Sequence, residues 1–319
     1  MGYTLYIQHG ERMFEPVVES DVQWETSRKG MPGKLTFKVV KDDILNFTEG
    51  DAVSFYDGED IVFFGFVFSK SRNKDGAISV TAYDQLRYLK NKDTYVYENK
   101  TASEVVQMLA EDFSLKLGSI EDTKHKIETR VEDNQTLFDI IQNALDITLL
   151  STKQMYVLYD NAGKLTLSNI ESMKINVLID ENVAEDLDYK TSIDGETYNQ
   201  IKLIYENKDA GKREIYISKD GENINKWGVL QYFEKINSDQ GAKDKADGML
   251  KLYNNKTRNL TIKEAVGYSK VRAGSMIMVS LKLGEIDANS WLIAEKVKHK
   301  YSEGLHTMDL DLVGGVLNA

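Results

Sequence analysis

Four histidines, His9, His125, His299 and His306, are the side chains best suited to metal ligation or proton transfer in this chain of 319 residues. A histidine metal site needs ligands at short fixed spacing, such as two histidines four apart on one helix with a glutamate between them. None of the four has such a neighbour, and His299 and His306 stand seven apart on segments that read as strands. They read as surface or internally satisfied histidines. Two acidic clusters, Asp57-Gly58-Glu59-Asp60 and Asp194-Gly195-Glu196, imitate the carboxylate pair of a glycosidase. Asp-Gly is equally the chemistry of a tight turn, and both clusters adjoin alternating segments, so both read as turns. Glu111 and Asp112 are adjacent on a predicted helix and face solvent. No acidic cluster matches the Asp-x-Asp-x-Asp-Gly calcium loop. Cysteine is absent, which excludes thiolate ligands, a Cys nucleophile and disulfides, and fits synthesis in a reducing cytoplasm. Neither a Gly-x-Ser-x-Gly elbow nor a phosphate loop occurs. No catalytic, cofactor-binding or metal-binding residue is assigned, and no enzyme activity is expected.

The charge balance excludes a further class. Lys and Arg number 40 against 51 Asp and Glu, a net charge of -11. Nucleic-acid binders carry a basic face. The nearest candidate here, Lys251 to Arg258, is interrupted by Tyr253, Asn254 and Asn255. Specific nucleic-acid binding is therefore not expected. No run of about 18 apolar residues predicts membrane insertion, and Met1 to Tyr6 lacks the basic-then-apolar pattern of a secretory leader. With hydrophobic residues at 41%, there is ample material for a buried core.

The elements that must position these side chains fall into three stretches, 1–95, 96–180 and 181–319. The first reads as β. Leu35 to Val40 and Ala52 to Tyr56 alternate, Ile61 to Phe68 is strongly apolar, and Ala77 to Tyr83 closes the set. Turn residues separate them at Glu49-Gly50-Asp51, Asp57 to Asp60, and Asn73-Lys74-Asp75-Gly76. Strands at this spacing predict a small barrel or sandwich. In the second stretch, Thr101-Ala102-Ser103-Glu104 is a capping box, followed by Val105, Val106, Leu109, Phe113 and Leu115 at helical spacing. Thr136 to Asp139 opens a second helix with Ile140, Ile141, Ala144 and Leu145 on its apolar face. Met155 to Tyr159 and Lys164 to Ile170 then flank Asp160-Asn161-Ala162-Gly163 as a hairpin. The third stretch pairs Asn199 to Tyr205 with Arg213 to Ser218. It forms a helix over Asp239 to Tyr253, with Ala242, Ala246, Met249, Leu250 and Tyr253 inward, and is β from Leu260 onward.

The last segment echoes the first. Leu35-Thr36-Phe37-Lys38 matches Leu260-Thr261-Ile262-Lys263. Gly50, Val53 and Phe55 match Gly274, Ile277 and Val279. Phe64 to Phe68 falls opposite Ile293 to Val297, and turns at Gly76 and Gly304 each precede a last alternating strand. Turn order and strand order agree together, which points to duplication of a unit of about 55 residues.

This layout resembles the baseplate hub proteins of contractile phage tails. That group includes the late control D proteins and the XkdQ/YqbQ-type proteins of defective prophages. The resemblance rests on Gly30-Met31-Pro32-Gly33-Lys34-Leu35, the capped helix with Ala110-Glu111-Asp112-Phe113, and the second helix leading into Tyr156 to Asp160. It rests also on Ala246 to Leu252 followed by Ala273-Gly274-Ser275-Met276-Ile277. It implies an α+β, mainly β fold: two similar small tube-type β-barrels with an inserted α+β module. It implies a homotrimeric adapter between the six-fold tail tube and the three-fold spike, in a virion or phage-tail-like particle. The implied partners are the tube protein, the spike or tip protein, other baseplate proteins and the tape measure, with no cofactor. The second reading is a tail-associated cell-wall-degrading or carbohydrate-binding module.

Overall fold

A computed structural model describes residues 2–19, 21–74, 76–180, 186–207, 211–236, 239, 241–283 and 286–314. The expected turn at Asn73 to Gly76 includes Asp75, and the expected helix start near Asp239 includes Gln240, both outside the described residues. The chain divides into two compact units. One holds Met1–Asp188 and Thr261–Leu312, the other Tyr189–Leu260 with the last residues from Val313.

The first unit opens with β1 (Tyr3–His9), β2 (Arg12–Phe14), β3 (Val22–Ser27), β4 (Lys34–Val40), β5 (Ala52–Asp57), β6 (Asp60–Arg72) and β7 (Ala77–Tyr83). Burial alternates along β3 and β4, because successive side chains leave a strand on opposite faces. The inward set, with Leu5, Ile7, Trp24, Leu35, Phe37, Val53, Phe55 and Val67, forms one apolar core that also takes in Tyr301.

A 3-10 turn (Gln85–Lys90) leads into β8 (Lys92–Tyr97), α1 (Ala102–Asp112), β9 (Leu117–Ile120), β10 (Arg130–Thr136), α2 (Leu137–Thr152), β11 (Tyr156–Asp160) and β12 (Leu165–Asn169). The expected capping box is present. Thr101 Oγ1 accepts from the Glu104 N–H at 3.2 Å, and Glu104 Oε2 accepts from the Thr101 N–H at 2.7 Å. Thr136 caps α2 through the Asp139 N–H at 3.1 Å. The β11–β12 hairpin forms with Asp160 opposite Leu165, and β9 adds to it in parallel. Val105, Val106, Leu109, Ile140, Ile141 and Ala144 meet this sheet in a second core.

Next come β13 (Lys174–Ile179) and β14 (Asp186–Ser192). The second unit holds β15 (Gln200–Asn207), β16 (Lys212–Lys219), α3 (Gly221–Trp227), β17 (Gln231–Ile236) and α4 (Ala242–Tyr253). The expected pair, β15 with β16, is antiparallel, and β17 joins β15 in parallel. Ala242, Ala246 and Met249 of α4 are buried. Last come β18 (Thr257–Val266), β19 (Met276–Leu283), β20 (Ile286–Ser302) and β21 (Leu305–Val313).

The duplication is visible in the pairing. The early strands lie in the order β3-β4-β7-β6-β5-β1, and the late ones in the order β14-β18-β21-β20-β19-β13, with the match ending at the last strand, where β1 is antiparallel to β5 and β13 parallel to β19. The two Gly turns coincide bond for bond. The Gly50 N–H donates to Val67 O at 2.8 Å and the Val67 N–H to Asp51 O at 2.9 Å; the Gly274 N–H donates to Ala294 O at 2.8 Å and the Ala294 N–H to Ser275 O at 2.9 Å. Both glycines are left-handed, at φ +92° and +93°. Val53 and Ile277, and Phe55 and Val279, are all buried. One detail of the sequence alignment needs correction. Phe66 and Val67 correspond to Ile293 and Ala294, two residues away from the expected match. The late hairpin is longer: Ala52 pairs with Phe66, 14 residues on, whereas Met276 pairs with Ile293, 17 residues on.

The expected closed barrels are not formed; the strands build one open 13-stranded sheet. A strand has only two edges. β3 gives one to β4 and the other to β20, pairing Val22 to Ser27 with Tyr301 to Lys296. It therefore has no edge left with which to close its own unit.

A Cβ on Gly50 meets nothing within 4 Å, whereas one on Gly274 would lie 2.7 Å from Val157 Cγ1. Gly50→Ala should thus cost only the left-handed strain, about 1–2 kcal/mol. Gly274→Ala should cost clearly more, because a clash is added. Urea unfolding of the two variants checks the order.

Candidate functional site

The residues singled out for chemistry are dispersed. Asp57 and Asp60 face each other across the two-residue turn between β5 and β6, with Gly58 at φ +61°, so this cluster is a turn as expected. Glu59 is exposed. In the second unit Gly195 has φ +91°, and Asp194 and Glu196 are exposed. Glu111 and Asp112 end α1 in solvent, where Asp112 accepts a hydrogen bond from the Tyr95 hydroxyl at 2.8 Å. His9 Nδ1 lies 2.8 Å from Asp51 Oδ2. His125 is half-buried in the loop after β9. Among the described residues no group of three or more His, Asp or Glu side chains is arranged to hold a metal ion.

His299 and His306, seven apart in sequence, do meet. They lie on the neighbouring strands β20 and β21, with His299 Nδ1 2.9 Å from His306 Nε2. His299 Nε2 lies 2.8 Å from Val271 O and so carries the proton and donates. Its ring stacks on Trp24 at 5.1 Å, and His306 stacks on Tyr301 at 4.0 Å. Burial pushes the His299 pKa down to about 3, since a charged imidazolium there would lose its water. Burial lowers His306 too, against the pull of Asp57. The pair is a neutral structural stack.

The strongest electrostatic feature was not legible in the sequence. Asp84, Asp160 and Arg272 converge inside the first unit. Asp84 is buried, and backbone N–H groups satisfy its carboxylate: Gly33 donates to Oδ2 at 2.9 Å and Leu86 to Oδ1 at 3.1 Å. Asp160, also buried, accepts the Gly163 N–H at 2.6 Å. The half-buried Arg272 donates from Nη2 to the Asp160 carbonyl at 2.7 Å and lays its guanidinium 4.2 Å from the Tyr159 ring centre. Its charge draws both carboxyls down, yet desolvation wins. Burial first, then the neighbouring Asp160 charge, holds Asp84 well above the ordinary carboxylate range, and burial raises Asp160.

Three distant segments thereby meet: the end of β7, the β11–β12 hairpin and the turn before β19. Gly33, noted in sequence only as part of a Gly-rich stretch, is required here. A Cβ at Gly33 would come 2.3 Å from Asp84 Oδ2. Nothing in the sequence marks the cluster: Arg272 follows Lys270 and Val271 as an ordinary cation, and only the fold buries its neighbours Val271 and Ala273. The arrangement holds no nucleophile and no accessible acid–base pair; it joins segments.

Arg272→Met should destabilise the protein by about 3 kcal/mol, because it leaves two buried carboxyls without a counter-charge. The loss should shrink toward acid pH, as Asp84 and Asp160, both raised by burial, take up protons. Denaturant unfolding at about pH 7.5 and about pH 5 measures both. His299 works in the opposite sense. Its folded pKa lies below the unfolded value of 6.5, so the unfolded chain binds the extra proton. The stability from the neutral ring is whole above about pH 6.5 and falls as pH drops toward 3, by up to about 1.4 kcal/mol per unit. In His299→Gln the pH slope of the unfolding free energy across that window should be shallower than in the wild type.

A family model described as YQBQ-like matches residues 22–313. Two Bacillus subtilis (strain 168) proteins are similar over nearly their whole length. The uncharacterized protein YqbQ is 31% identical over 97% of this chain and 96% of its own. The phage-like element PBSX protein XkdQ is 30% identical over 97% and 96%. Among solved structures, the 43 kDa tail protein of prophage MuSo2 from Shewanella oneidensis shares the fold at a TM-score of 0.73 and 11% identity, covering 97% of this chain and 98% of that one. The E. coli c3393 protein is a type VI secretion component described as similar to the T4 tail proteins gp27 and gp5. It shares the fold at a TM-score of 0.58 and 10% identity, over 98% of this chain and 76% of that one. On the family match and the two relatives, this chain belongs to the YQBQ-like family.

Proposed function

We propose that this protein is a structural hub of a contractile phage tail or phage-tail-like particle. In this reading it is a trimer that joins the six-fold tail tube to the three-fold spike. The observation that carries the reading is the strand order found twice, β3-β4-β7-β6-β5 and β14-β18-β21-β20-β19. A closed ring of identical chains presents each surface once per chain. A chain that holds the same strand unit twice presents it six times in a trimer. Three such chains match six tube subunits on one side and three spike chains on the other. A relative from a phage-like element and a shared fold with a prophage tail protein support the same place.

Its partners in this reading are proteins: the tube protein, the spike or tip protein, neighbouring baseplate proteins and the tape measure. The site is the tail tip, and the net charge of -11 per chain keeps the assembled ring from holding polyanions. The role is mechanical and not enzymatic. The buried carboxyls of Asp84 and Asp160 accept backbone N–H donors, and Glu59 and Glu196 sit on exposed turns.

Cryo-electron microscopy of the particle tip should show three copies around the axis; one copy or six would overturn the adapter. Purified protein should leave a suspension of bacterial cell walls turbid. Clearing that is lost in Glu59→Gln or Glu196→Gln would favour the cell-wall-degrading reading instead.

A further inference from the structure

The duplication has one unequal consequence. In the late unit, β20 is flanked by β21 on one side and by β19 and then β3 on the other, with β3 covering Lys296 to Tyr301. In the early unit, β6 is flanked by β7 on one side, and on the other by β5 only as far as Phe66. No described strand fills the place beside Phe68 to Arg72 that β3 fills beside β20. Asn73 turns its N–H back to Ala77 O at 3.1 Å. By the alternation of a strand, the N–H groups of Lys70 and Arg72 therefore point to the open side.

The strand that corresponds to β3 is β14, and its sequence says so. Val22-Gln23-Trp24-Glu25-Thr26-Ser27 aligns with Leu187-Asp188-Tyr189-Lys190-Thr191-Ser192. β3 is paired on both edges, whereas among the described strands β14 stands at the end of the sheet beside β18. Each unit thus leaves one half of the same joint open. Arg72 and Lys74 stand on β6 and the turn after it, Lys70 Nζ is held by Phe47 O, and β14 carries Asp186, Asp188 and Lys190. β14 also exposes Leu187 at the position of the buried Val22.

We propose that the open edge of β6 at Phe68 to Arg72 is the docking strip for β14 of a second copy of this chain, in the antiparallel register that β20 and β3 show within one chain. Lys298 faces Glu25 in that joint, so Ser71 of one copy faces Lys190 of the next. His299 faces and stacks on Trp24, so the Arg72 guanidinium lies on the Tyr189 ring, a favourable cation–aromatic contact. The joint is head-to-tail, and such joints close into rings when the rotation permits. The idea rests on the trimeric reading above and names the surfaces that make the trimer.

The absence of cysteine from the chain gives a clean test. Ser71→Cys and Lys190→Cys chains are prepared separately, mixed and oxidised, and the double variant is oxidised in the assembled particle. The mixture should give only Ser71→Cys to Lys190→Cys pairs, and the double variant a ladder that ends at three chains. Arg72→Pro removes an N–H that points to the open side, so it should abolish the cross-link while the urea midpoint stays unchanged. Self-linked Ser71→Cys dimers would overturn the head-to-tail joint. A three-copy tip in which the double variant stays unlinked would overturn this edge but leave the trimeric hub standing. A tip with another copy number would sink both.

Discussion

The pairing of β3 with β20 is the interaction on which the rest of the first unit depends. Six residues near the start of the chain bond edge to edge with six near its end. The side chains reinforce the seam. Arg28 Nε donates to Glu295 Oε1 at 2.8 Å across it, and Trp24 stacks on His299. A strand edge is an obligatory bonding surface. Once β3 is spent on β20, the early unit cannot close on itself, and the duplicated strand sets become one sheet. Tyr301, at the end of the seam, reaches the early core, where its ring lies 4.8 Å from Phe55.

The buried charges follow from that seam. Ala273, in the turn before β19, donates its N–H to Thr26 Oγ1 of β3 at 2.9 Å. That bond holds Arg272 against Asp160 of the hairpin and within reach of the Asp84 charge. Desolvating three ionisable groups is expensive, and such clusters seldom add net stability over an apolar packing of the same shape. What this one supplies is a fixed meeting point for the three segments. Gly33 and Gly274 lack side chains for the same reason: each lets backbone approach a crowded neighbour, Asp84 in one case and Val157 in the other.

Local signals were legible in the sequence and long-range ones were not. The Thr101 capping box, the Thr136 cap and the alternation of β4, β5 and β7 each act within a few residues, so reading them needs no knowledge of the rest. The repeat was legible because the Gly50 and Gly274 turns are themselves local. Its register slipped by two because the late hairpin is longer. Its outer strands were missed as well. β14 is separated from β18 by all of β15 to α4, so the echo of Val22 to Ser27 in Leu187 to Ser192 fell outside the segment that seemed to repeat. Arg272 and the His299–His306 contact carry no local signature. Their environment is built by strands far away in the chain, and single residue types do not encode it.

The two strand sets form one cooperative sheet held by the seam of β3 with β20. Native-state hydrogen exchange tests it directly. The seam amides of Thr26 and Val297, which face each other across it, should exchange only through global unfolding, with the same free energy and the same denaturant dependence as Val53 and Phe55 in the early core. Exchange of the seam amides through a small local opening, while the core amides remain protected, would mean that the halves are separate sheets merely in contact and would contradict the account.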